Sequence, residues 1–199
     1  GKNKQSDGSG RRNGEDHDLR VIYFEDEVER ECIRYVLDFA ILRTKTPHWH
    51  MVQHVSDSIA RIEHLTTSGQ LSMLYANLYP LYCNLRGHLR KCLHLNVEAL
   101  QDFSRAVELK EQYGIALNNR ASVLIEMGLS DVALVDLNQC LSLMPHYSVA
   151  WSNMGIIYFN REDFRMALRC YNRALEADPN NYNVVFNRAS AMQTLDNYV

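Results

Sequence analysis

The sequence predicts an all-α fold: antiparallel helix pairs stacked into a superhelical solenoid, preceded by a helical hairpin. Two observations carry this. Apolar residues recur at spacings of three and four from Glu25 onward, the period of a helix with one buried face. From Pro80 the whole pattern also returns every 34 residues. A repeat of that length specifies a stacked array, in which each helix pair needs its neighbours to complete its core.

The bulk composition permits such a core. Of 199 residues, 46% are hydrophobic and 23% charged, and the formal net charge is -3. That mild acidity argues against a protein that tracks phosphates, which needs a basic stripe, so no nucleic-acid partner is expected. The five cysteines, Cys32, Cys83, Cys92, Cys140 and Cys170, form no Cys-x-x-Cys pair. They read as reduced thiols on buried helix faces. No apolar run is long enough to span a bilayer and no signal segment opens the chain. The expectation is a cytoplasmic or other intracellular protein, not secreted, with no membrane partner. The initial Gly reads as a boundary within a longer chain.

Residues 1–19 are polar and Gly-rich. They cannot bury enough apolar surface to offset ordering entropy and are expected to be disordered. Residues 20–79 form a helical segment, either a decayed repeat or a cap. Val28, Cys32, Tyr35, Val36 and Phe39 mark a helix from Glu25 to about Arg43. Thr46 and Pro47 suit the cap and first turn of a second helix. It runs to about Leu65 with Trp49, Val52, Val55, Ile59 and Ile62 on one side, and Thr66 to Gly69 end it. A short apolar segment, Leu71 to Tyr79, leads to Pro80.

Four units follow: 80–113, 114–147, 148–181 and a truncated 182–199. Counting from the first residue of each, position 8 holds Gly87, Ala121, Gly155 and Ala189. Position 20 holds Ala99, Ala133 and Ala167. Position 24 holds Phe103, Leu137 and Tyr171, and position 27 holds Ala106, Cys140 and Ala174. Small residues at positions 8 and 20 are expected where the two helices of a pair cross, so that their backbones can approach. Asp178-Pro179 stops a second helix, because Pro cannot continue it. In the last unit Val185, Ala189 and Met192 lack a following helix. More repeats, or pairing with another chain, are expected to cover them.

These positions resemble the tetratricopeptide repeat (TPR) family. Ser148–Asn181 matches its signature throughout. The 114–147 unit departs at Arg120, where Leu is usual, and at Cys140. The 80–113 unit has Cys83 and Arg90 in place of aromatics and Glu111 in place of Pro, but keeps Gly87, Ala99, Phe103 and Ala106. The resemblance covers about 80–199. It implies a superhelix whose first helices line a concave groove, with no cofactor or metal, and a role as a scaffold rather than an enzyme.

Groove positions can be assigned from helix geometry. Asn153 lies two residues from Trp151, about 200° round the helix, so it faces away from the partner helix. Asn119, Asn153 and Asn187 share this position in successive units. An Asn amide both donates and accepts, and a row of them can hold an extended peptide by its backbone. This is similar to the asparagine ladder in the TPR superhelix of O-linked N-acetylglucosamine transferase. The alternative is a row of solvated side chains. Asn118, Ser122 and Ile156 are further groove candidates. Positions 2, 5, 6 and 9 carry no Lys or Arg in any unit, so a carboxylate clamp for chaperone C-termini is not expected.

His50 and His54 are spaced to share a helix face, but no third ligand is evident and no metal is predicted. No nucleophile motif or phosphate loop occurs, so no catalytic residue is assigned. The expected function is binding other proteins, as an extended peptide or a partner helix in the groove. The alternatives are a substrate-recruiting region of a larger enzyme, or an RNA-reading helical repeat.

Overall fold

In the computed structural model the described residues are 48–68 and 73–197; among them lie eight helices and no strand. They are α1 (His48–Thr67), α2 (Met73–Cys92), α3 (Asn96–Leu109), α4 (Gly114–Glu126), α5 (Ser130–Leu143), α6 (Ser148–Asn160), α7 (Phe164–Ala177) and α8 (Tyr182–Asn197). The polar tail, the helix expected from Glu25, Cys32 and the Thr46-Pro47 start lie outside the described residues.

Each helix packs on the next in chain order, and α2, α4, α6 and α8 also touch one another in succession. The first helices of the pairs therefore share one side of the solenoid. α1 buries Val55, Ile59 and Ile62, one stripe at helical spacing. Trp49 departs from the expected stripe. It is 58% exposed and stacks on the ring of His50, with centroids 3.5 Å apart. The segment before Pro80 is no separate element either: α2 runs straight through Pro80. The ring forfeits one helical hydrogen bond. Burial of Tyr79, Tyr82 and Cys83 around it offsets the loss. The Tyr79 hydroxyl also donates to Glu63 at 2.5 Å, tying α2 to α1.

The turn inside each helix pair is built one way three times. His94, Gly128 and Glu162 occupy position 15 and all adopt positive φ, 60°, 78° and 61°. The next N–H then reaches back six residues: Leu95 to Arg90, Leu129 to Leu124 and Asp163 to Tyr158, at 2.8–3.0 Å. This closes orphan carbonyls at the helix end. Only Gly128 takes that conformation without strain. Asp163 caps α7 by accepting from the Met166 N–H at 3.0 Å.

The crossing within each pair differs in detail from the expectation. A Cβ on Gly155 would lie 2.5 Å from the Tyr171 ring, and one on Gly87 would lie 2.8 Å from the Phe103 ring. Glycine at position 8 thus makes room for an aromatic ring at position 24, not for the Ala at position 20. Where position 24 is the slimmer Leu137, position 8 can be Ala121, and both are fully buried.

Position 7 follows a second pairing rule. Arg86 donates to Asp102 through Nε and Nη2, and Arg90 reaches the other oxygen of the same carboxylate at 2.8 Å. Arg120 holds Asp136 in the same way. In the third pair Met154 stands in place of the arginine and Cys170 in place of the acid, both buried. A buried carboxylate occurs only opposite an arginine, as desolvation demands.

Candidate functional site

The face shared by α2, α4, α6 and α8 carries the sequence-predicted groove residues. Asn119 Nδ2 donates to Asn84 Oδ1 at 3.0 Å, and Asn153 Nδ2 donates to Asn118 Oδ1 at 2.9 Å. Position 6 of each unit thus reaches back to position 5 of the unit before. The asparagines are first of all ties between repeats. Asn118 is 2% exposed, so its acceptor is met from within the protein. Asn119 and Asn153 are half-buried, and each amide retains donor and acceptor capacity beyond this one bond.

Between α6 and α8 the face opens into a cavity of about 380 Å³ lined by Ile156, Phe159, Asn160, Tyr171, Phe186, Asn187 and Ser190. Ile156 and Asn187 from the predicted set meet here. The wall is apolar on the α6 side through Ile156 and Phe159. On the α8 side Asn187 and Ser190 bring hydrogen-bonding groups beside Phe186. An apolar recess with a few convergent polar groups suits a side chain and its flanking amide. Ser122 lies elsewhere on the face. It receives a hydrogen bond from Lys91 Nζ, and Lys91 also pairs with Glu126 at 3.1 Å.

Lys91 and Phe159 share position 12, a column that the sequence reading did not assign to the groove. Positions 5, 9 and 12 are spaced four and three residues apart and stand on one helix face, so spacing alone could have found it. The expected absence of groove cations therefore needs correction. Lys91 crosses from α2 to the α4 face on its long aliphatic stem.

The histidines give no site. Among the described residues no three of His, Cys, Asp and Glu converge as metal ligands, and His50 lies against Trp49. Burial pushes the thiol of Cys83 up to about 12 and those of Cys140 and Cys170 to about 11. Buried, protonated thiols are poor nucleophiles. Among the described residues no helix is long and apolar enough to cross a membrane.

Helix pairs in this register, joined by one turn geometry and lining a common face, define a helical-repeat solenoid. Residues 148–181 match the tetratricopeptide repeat family model, and the chain is a tetratricopeptide repeat protein. Human tetratricopeptide repeat protein 6 is 34% identical over 110 residues, 54% of this chain and 21% of that protein. Hsp70-Hsp90 organizing protein 1 of Glycine max is 29% identical over 84 residues, 42% of this chain and 15% of that protein. The chain thus spans about a fifth or less of these relatives' lengths. Among solved structures, the first TPR of Spaghetti (RPAP3) bound to the HSP90 peptide SRMEEVD superposes with a TM-score of 0.57 at 24% identity. It covers 59% of this chain and 94% of that one. The expectation that chaperone C-termini lie outside the range of ligands is overturned by these similarities.

Proposed function

We propose that this chain is a protein-interaction scaffold that takes an extended peptide on the face of its first helices. Acidic C-terminal peptides of the chaperone type are the first candidates. The observation that carries this reading is the cavity between α6 and α8, apolar at Ile156, Phe159 and Phe186 and polar at Asn187 and Ser190. Asn119 and Asn153 extend the polar row along the same face, and Lys91 supplies a cation to meet a carboxylate. The HSP90 peptide seated on a similar fold supports the choice of ligand.

Isothermal titration with the heptapeptide SRMEEVD tests the proposal. Phe186 is 72% exposed, so Phe186→Asp leaves the fold intact while placing a charge at the cavity. The expected result is saturable binding that weakens about tenfold or more in Phe186→Asp and in Lys91→Ala. Absence of binding, or binding indifferent to both variants, overturns it.

A further inference from the structure

The outer face of α8 is matched to one kind of helix, and the rest of the chain says which. Residues 187–190 read Asn-Arg-Ala-Ser, identical to residues 119–122 of α4. In α4 these residues, with Leu117 and Leu124, are covered by α5. Leu117 and Ala121 are fully buried and Leu124 is 4% exposed. The equivalent residues of α8 are open: Val185 is 40% exposed, Met192 is 50% exposed, and Ala189 lies on the surface. Arg188 corresponds to Arg120, but in place of a carboxylate it meets only the Asn172 side-chain oxygen at 3.4 Å.

We infer that this face docks an amphipathic helix of α5 type, antiparallel to α8, presenting Ala-x-x-Asp-Leu-x-x-(small) from a partner protein. Each residue of the motif answers one on α8. The acid answers Arg188, because both arginines at position 7 in complete pairs hold an aspartate and the methionine there does not. Leu rather than an aromatic follows the acid. The aromatic at that place goes with glycine at position 8, as at Gly87 and Gly155, and α8 has Ala189. The small residues let the backbones close up. A second copy of the chain fits poorly. Pairing α8 with its own mate about Ala189 would set one Arg188 beside the other, and the helix carries a single acid, Asp196, near its end. This docking uses a different face from the groove and stands or falls apart from the peptide reading.

The test uses the whole 199-residue protein and a fluorescent peptide of residues 129–144 with Cys140→Ala. The peptide is held helical by a staple between positions 135 and 139, which are exposed in α5. Anisotropy is expected to show saturable binding. It should weaken about tenfold or more with Asp136→Asn in the peptide or Arg188→Met in the protein. Arg188→Asp paired with an Asp136→Arg peptide should recover it. The Arg188 variants also exclude exchange of the peptide for the chain's own α5, which rests on Arg120. No saturable binding, binding insensitive to both Asp136 and Arg188, or a face occupied by self-association in sedimentation overturns the inference.

Discussion

Arg120 and Asp136 form a two-point ion pair, Nε to Oδ2 and Nη2 to Oδ1, both at 2.7 Å, with the carboxylate 3% exposed. Removing one partner strands a buried charge. Arg120→Met alone should cost about 3 kcal/mol of unfolding free energy. Arg120→Met with Asp136→Cys copies the third pair and should recover most of that loss. Urea denaturation of the two variants measures the difference. Equal losses would show that the pair is not what sets the stability of this crossing.

Gly155 and Tyr171 make the same kind of test for shape. Gly155→Ala drives a methyl into the ring and should cost about 1–3 kcal/mol. Adding Tyr171→Leu recreates the Ala121–Leu137 arrangement and should relieve the clash, leaving the loss of aromatic burial. Thermal melts of the single and double variants report it.

Asn153 has a structural duty separate from any ligand. Asn153→Ala leaves the buried Asn118 oxygen without its partner and should destabilise by about 1–3 kcal/mol. Asn187→Ala has no such tie in the structure to break, so its melting temperature should stay close to the parent. A peptide-binding defect in Asn153→Ala is therefore interpretable only beside its melting curve.

The buried thiols predict alkaline sensitivity. Burial raises Cys140 and Cys170 from 9.0 to about 11, and Cys83 to about 12. The folded state thus favours the protonated thiol. Its contribution is fully present below pH 9 and is lost as the pH rises toward 11, because the unfolded chain ionises first. The denaturation midpoint should fall across that window, and Cys83→Ala should flatten part of the fall. In a Cys32→Ser background, a thiol reagent at pH 8 should label Cys92, which is exposed, long before the other three.

Much of the architecture was legible as spacing. Periodicity placed the helices of residues 80–197, because a stacked array repeats the same burial problem in each unit. It also set Asn119, Asn153 and Asn187 on one face. It did not show that Asn119 and Asn153 reach back to Asn84 and Asn118, because a bond between units depends on the angle at which they stack. Lys91 escaped for a similar reason, since its stem spans from one unit to the next. Pro80 misled because local propensity favours a break there, while tertiary burial on either side kept the helix whole.

The sequence by itself determined the class of fold, the register of the repeat and the faces of each helix. These follow from a single local period that every unit shares. Only the tertiary structure decided which side chain answers which: glycine with an aromatic ring, arginine with aspartate, asparagine with asparagine. Those choices are made between residues sixteen or thirty-five positions apart. They are energetic only once packing removes the water that would otherwise satisfy each group alone.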